Sequence, residues 1–393
     1  FWLKFNSVSS LCALVRNTVA MSTTQVWTAC IVALLILSCN AEHPVRRAIV
    51  DAVNNDPSST WVAEVVEHNM FANYSIEEIR GILGLEGYSR KPLQRESGIA
   101  VENIPESFDG REKFGSCQFS IRNQANCGSC WAFGAAETLS TNLCVLGLAD
   151  EALSAQDLIS CDLKNHACHG GTLPAAWDYI QHDGLVSDSS DPYASGGGSC
   201  NNTCVPACPI RKSPKKCPVP YSTLNSDTEI QAAVMTAGAV EVGFFVMADF
   251  MNYKGGVFRS SSKQTLGGHA VKIIGWGHQG ELFYWIVQNS WGPSWGENGF
   301  FRIANWREDN ESSIAIGGGW ACVEGATPAP PSPPSPPVHC EDIVSYCNQY
   351  DTHAKCAQKS YVIPLCRKTC GCCDVLAPSY CNSSATTHES FVV

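Results

Sequence analysis

Positive charge is scarce in this sequence. Lys and Arg number 26 against 37 Asp and Glu, a formal net charge of -11 over 393 residues. Nothing in that balance neutralises phosphates, so no nucleic-acid partner is expected. A long apolar run is missing as well. Val26 to Leu37 is nearly all apolar, but it falls short of the roughly 20 residues of a membrane span. No integral span is therefore expected in a mature form. Residues 42–103 hold no catalytic motif, and residues 187–220 hold no histidine.

Cysteine, by contrast, is abundant, at 22 residues. That density points to an oxidising compartment where disulfides persist, with a cytosolic zinc protein as the rival reading. The N-terminal region favours the first. Val26 to Leu37, followed by Cys39-Asn40-Ala41, reads as a signal peptide with a small-residue cleavage site, although no Lys or Arg follows Met21 before it. Residues 1–20 read as upstream translation and 21–41 as the signal peptide. The expected route is the secretory pathway, ending in a lysosome or vacuole or outside the cell. No cofactor and no metal are expected.

The chain is longer than one usual domain, and its 45% hydrophobic content suffices for a sizeable core. Residues 42–103 are polar, with a short helical pattern around Thr60 to His68. From Trp131 to Gly147, Ala132, Ala135, Ala136, Leu139, Leu143 and Leu146 recur at helical spacing. They predict a buried helix starting at Cys130. A second helix is expected from Ala155 to Ser160. Residues 187–220 form a long loop carrying Cys200, Cys204, Cys208 and Cys217. Strands are expected at Ala239–Val246, Ala270–Ile274, Tyr284–Gln288 and Gly299–Ile303. Helices first and antiparallel strands later give an α+β protein of two lobes. Pro328 to Pro337 holds seven prolines in ten residues and reads as a stiff spacer (327–339). Eight cysteines follow between Cys340 and Cys381, marking a small module held by disulfides. Residues 104–326 contain eleven cysteines, an odd number, so one thiol can stay free.

Chemistry concentrates in three motifs. Cys127-Gly128-Ser129-Cys130-Trp131 places a cysteine at a helix start, where unpaired amides and the positive dipole end favour thiolate. The imidazole that activates it is expected to be His269, in Leu266-Gly267-Gly268-His269-Ala270-Val271, with His278 as rival. His166 and His169 read as surface residues. Asn289, in Gln288-Asn289-Ser290-Trp291-Gly292, can accept from one ring nitrogen of His269 and fix its tautomer, with Trp291 shielding that bond. Gln124 and the Cys130 amide can donate to a developing oxyanion.

With these motifs, residues 104–326 resemble papain-type cysteine peptidases and look most like cathepsin B. Further likeness lies in Ile104-Pro105-Glu106-Ser107-Phe108-Asp109, Leu153-Ser154-Ala155-Gln156-Asp157-Leu158, Cys168-His169-Gly170-Gly171 and Tyr253-Lys254-Gly255-Gly256-Val257. The resemblance implies a two-lobed papain-like fold and a zymogen whose propeptide (42–103) inhibits until removed at acidic pH. It implies disulfides Cys117–Cys144 and Cys127–Cys168. It also implies protein or peptide substrates, bound along Gly170 and Gly171 and near Trp291 and Gly317. In cathepsin B the long loop carries adjacent histidines that hold a substrate's C-terminal carboxylate. Their lack here favours endopeptidase action, and Arg211, Lys212, Lys215 and Lys216 read as a solvated basic patch. Gly317 stands where cathepsin B has an acid, which implies an apolar preference in the second substrate pocket. The family cysteine near Ser312 is also absent, so Cys322 is open to a different pairing.

The tail (340–373) resembles the six-cysteine ShK-like domain of sea-anemone potassium-channel toxins. The likeness runs through Cys340, Cys347, Cys356, Cys366 and Arg367-Lys368-Thr369-Cys370 to Cys373. It implies a Cys340–Cys373 bridge; the tail reads as an attachment or targeting module for a surface or receptor ligand, with channel blockade as the rival, and residues 374–393 trail beyond. An inactive peptidase homologue that binds through this tail is the alternative function. Sequons at Asn73, Asn201, Asn310 and Asn382 suit a secreted surface.

Overall fold

The computed structural model describes residues 43–89, 103–118, 120–197, 214–218 and 221–323. The signal segment, Arg211, Lys212, the proline-rich spacer and the cysteine-rich tail with Cys340 and Cys373 lie outside the described residues.

In chain order the elements are α1 (Arg47–Asn54), β1 (Trp61–Ala63), α2 (Ile76–Gly81), β2 (Phe108–Asp109), α3 (Gly110–Phe114), α4 (Cys130–Val145), α5 (Ala155–Cys161), α6 (Leu173–His182), β3 (Ser222–Leu224), α7 (Asp227–Ala237), β4 (Val240–Met247), β5 (Tyr253–Phe258), β6 (Thr265–Gln279), β7 (Leu282–Gln288), β8 (Phe300–Ala304) and β9 (Gly319–Ala321). The strands form one sheet in the order β1-β5-β8-β7-β6-β4-β9-β3, with β2 added on β6. Pairing is antiparallel except between β5 and β8.

Two apolar clusters build two lobes. One gathers around α4, with Trp131, Phe133, Leu139, Leu158, Trp177 and Ile180. The other lies on the sheet, with Phe244, Phe250, Phe258, Trp285, Trp291 and Phe301. Helix α4 is buried throughout from Cys130 to Leu143, and its polar Ser140, Thr141 and Asn142 donate to backbone carbonyls there. Its small residues permit close approach. A Cβ on Gly134 would lie 2.5 Å from Oε1 of Glu241 on β4. Ser154 caps α5 through the Asp157 amide, and Ser226 caps α7 through that of Glu229. Disulfides join Cys117 to Cys144, Cys127 to Cys168 and Cys217 to Cys322.

The helical reading of Thr60 to His68 is corrected. Trp61 is buried, Val62 is 51% exposed and Ala63 is buried, a period of two. These residues pair with Gly256, Gly255 and Tyr253 of β5. The Asn54 side chain holds both polar groups of Ala63, at 2.9 and 3.0 Å. A sheet partner nearly two hundred residues away thus overrides the local pattern, and only Val66–His68 turns, as a 3-10 segment. The apolar residues of this N-terminal region, Val50, Trp61, Phe71, Ile79 and Ile82, join the cluster on the sheet.

Candidate active site

Cys130 opens α4. Its cap residue, Ser129, makes no side-chain bond to the first turn, so the positive helix end lies at the sulfur without a competing acceptor. Cys130 is fully buried and is the free cysteine among the described residues. The backbone amides of Ala270 and Gly84 point at its thiol. Ala270 follows His269 directly, so β6 brings the imidazole to the helix start.

His269 sits opposite Phe244 of β4. Its Nε2 lies 2.8 Å from Oδ1 of Asn289, just past the end of β7. That oxygen also accepts from the Ser290 amide at 2.8 Å. An acceptor there makes Nε2 the protonated nitrogen. Nδ1 is buried and has no protein hydrogen-bond partner. Trp291 lies over the imidazole, with ring centroids 4.8 Å apart. Gln124 is fully buried. Its Oε1 accepts from Ser290 Oγ at 2.6 Å, which aims its Nε2 toward the Cys130 loop. Nε2 donates to the carbonyls of Cys127 and Ile82, both at 2.8 Å. Four separate stretches of sequence therefore converge here.

His278 is not among them. Its ring bonds the Glu106 carbonyl at 3.1 Å and meets Phe283. His166 is exposed and pairs with Glu86 at 3.1 Å. Lys215 pairs with Glu151 at 3.7 Å, and Lys216 donates to the His182 carbonyl.

The resemblance implied an inhibitory segment at 42–103, but sequence reasoning did not name the residues of it that fill this site. Residues 82–88 cross it as a strap. Ile82 takes the Gln124 amide, and Gly84 lies on the thiol. Gly84 O accepts from Gly171 N at 2.8 Å, Glu86 N donates to Gly171 O at 2.8 Å, and Leu85 N donates to Gly268 O at 3.1 Å. Gly128 N donates to Cys168 O at 2.9 Å, and the Cys127–Cys168 disulfide holds the Gly170-Gly171 rim beside the Cys130 loop. Phe71 covers Trp291 edge-on, 5.1 Å between centroids. Tyr88 reaches Gly317 on the far side. The available signal was Gly81, Gly84 and Gly87, a glycine every third residue, beside apolar Ile82, Leu83 and Leu85. A Cβ on Gly84 would lie 1.8 Å from the Gly128 carbonyl oxygen.

Burial under the strap sets the charges. It pushes the Cys130 thiol up to about 12, against the amides of Ala270 and Gly84 that favour thiolate. It pushes His269 down to about 4, opposed by the Asn289 bond. Both shifts favour the uncharged form of each group at neutral pH.

A free, buried thiol at a helix start and an Asn-held imidazole on the neighbouring strand form the arrangement of a cysteine hydrolase. The profile of the papain family cysteine protease matches residues 104–317. The chain belongs to the papain family of cysteine proteases. Within it the chain is cathepsin B-like. It is 34% identical over 320 residues to a cathepsin B-like cysteine proteinase 3 of Caenorhabditis elegans, covering 71% of this chain and 83% of that one. It is also 34% identical to a cathepsin B-like protease 1 of Arabidopsis thaliana, covering 69% and 81%. Among solved structures, procathepsin B S9 from Trypanosoma congolense superposes with a TM-score of 0.57 at 28% identity, covering 71% of this chain and 98% of that one. The solved structure that this chain resembles is thus that of a proform. No helix among the described residues is long and apolar enough to cross a membrane.

Proposed function

We propose that this papain-family protease is an endopeptidase made as a zymogen, with residues 42–103 as inhibitory propeptide and residues 104–326 as the peptidase domain. Once the strap leaves, water and the facing imidazolium favour the Cys130 thiolate. The thiolate attacks the scissile carbonyl carbon, and the oxygen takes up negative charge facing Gln124 Nε2 and the Cys130 amide. His269 gives its proton to the leaving amine, and an acyl-enzyme remains on Cys130. His269 then takes a proton from water, which attacks the thioester and frees the thiol. Asn289 keeps the ring in register, and Gly170, Gly171, Trp291 and Gly317 line the substrate's path.

The observation that carries this reading is the strap itself. A peptide backbone lies across the free thiol, with one carbonyl on the Gln124 amide and its neighbours laddered on Gly171. Endopeptidase rather than exopeptidase action follows from the loop without histidine, and Lys215 and Lys216 are engaged elsewhere. The reading includes entry into the secretory pathway, toward a lysosome, a vacuole or the exterior. Nothing on the described residues favours the alternative of an inactive homologue binding through its tail. Internally quenched peptides with free and blocked C-termini test the proposal. Processed enzyme should cleave both kinds internally, and Cys130→Ala should cleave neither. Equal cleavage by Cys130→Ala would overturn it.

A further inference from the structure

The far end of the strap carries a feature that an apolar preference does not explain. The Tyr88 ring lies in a slot between Gly243 and Gly317, against Phe245 at 5.2 Å between centroids. Both glycines are needed for the slot. A Cβ on Gly317 would lie 2.6 Å from the Tyr88 ring, and one on Gly243 would lie 2.8 Å from it. The floor is polar. Tyr88 OH donates to the Ser313 carbonyl at 2.8 Å, and the Gly317 amide faces the same hydroxyl at 3.4 Å.

The floor is also fixed in place. Ser313 and Ala315 have φ of 49° and 59°, a left-handed conformation that non-glycine residues adopt at a cost. The turn is held by Ser313 N on the Asp309 carbonyl at 3.0 Å, Phe245 N on the Ser312 carbonyl at 2.8 Å and Ala315 N on the Gly243 carbonyl at 3.0 Å. Its remaining amide contact to the Ser313 carbonyl is long, 3.4 Å from Ile316 N. That oxygen is therefore presented to whatever fills the slot.

We infer that this slot selects tyrosine in peptide substrates, reading the phenol hydroxyl through the Ser313 carbonyl. The inference rests on the peptidase reading above, because substrate must lie where the strap now lies. An aliphatic side chain fills the walls and leaves the carbonyl without a good donor. Phenylalanine fills the ring space with the same deficit, and a site built around a hydroxyl discriminates against the analogue lacking it.

The test compares peptides with Tyr, Phe, Leu or Arg at the second residue before the scissile bond, using enzyme processed from the full chain. We expect kcat/KM for Tyr about tenfold above Phe, and Gly317→Ala to reverse the order of Tyr and Leu. In the intact full chain, Tyr88→Phe should raise the rate of Cys130 alkylation by iodoacetamide about tenfold. Equal kcat/KM for Tyr and Phe, or a Gly317→Ala enzyme that keeps the Tyr preference, would overturn the inference. Binding of the same peptides to processed Cys130→Ala, followed by tryptophan fluorescence, separates the two readings. Tighter binding of Tyr than Phe supports the slot even if the wild-type enzyme hydrolyses nothing, a result that would sink the peptidase reading alone.

Discussion

Replacing Gly84 by alanine should uncover Cys130 in the intact full chain. The added Cβ would lie 1.8 Å from the Gly128 carbonyl oxygen and 2.4 Å from its carbon. The clash is with backbone, and that backbone is anchored by the Gly128–Cys168 hydrogen bond and the Cys127–Cys168 disulfide. The strap must therefore lift. Lifting weakens the two bonds to Gly171, the bond to the Gly268 carbonyl and the Ile82–Gln124 bond. At roughly 1 kcal/mol net for each bond, loss of two to four destabilises the closed strap by about 2–4 kcal/mol. The uncovered fraction should rise by a factor of about 30 to 1,000. Iodoacetamide labelling of Cys130 in full-length protein at neutral pH, read by peptide mass before processing begins, measures that fraction. Gly81→Ala is the control, because its Cβ meets nothing within 4 Å. Labelling of Gly84→Ala at the wild-type rate, or equal acceleration by both substitutions, would refute the reasoning.

Other outcomes follow from the same geometry. Burial holds His269 at about 4, against an ordinary value of 6.5. The covered state therefore binds fewer protons than the opened or unfolded state between those values. Its stability is complete above pH 6.5 and falls as pH drops toward 4, by roughly 3 kcal/mol. In a full-length Cys130→Ala chain the thermal midpoint should fall over that window, and His269→Gln should flatten the fall; an unchanged slope would remove this cause. Asn289→Ala should lower kcat about 100-fold with a smaller change in KM, measured by steady-state hydrolysis of a quenched peptide. The Cys217–Cys322 disulfide closes a separation of 105 residues. Replacing both by serine should lower the melting temperature on the order of 10 °C by scanning calorimetry.

The peptidase lobes were legible because their signals are local or repetitive. The spacing from Ala132 to Leu143 marks α4, and β4, β7 and β8 appear within two residues of their observed ends, whereas only Ala270–Ile274 of the longer β6 (Thr265–Gln279) was read. Helix α6 was not read, although Pro174 stands at its first turn. The Ser75–Glu78 capping box starts α2 and was likewise passed over. The strap was illegible for a different reason. Its glycines mark a break but name no partner, and its hydrogen bonds go to Gly171 and Gly268, far along the chain. Charge preference was also hidden, since the helix start and imidazole suggest a thiolate and an imidazolium while burial shifts both Cys130 and His269 toward their uncharged forms.

The central claim is that Cys130 carries the acyl group during turnover. Processed enzyme mixed with an ester substrate, acid-quenched within milliseconds and digested, allows the covalent intermediate to be located by mass. The acyl mass should sit on the peptide containing Cys130, appear as a burst, and vanish in His269→Ala. Rapid product formation with no adduct on that peptide, or an adduct on another residue, would contradict the account.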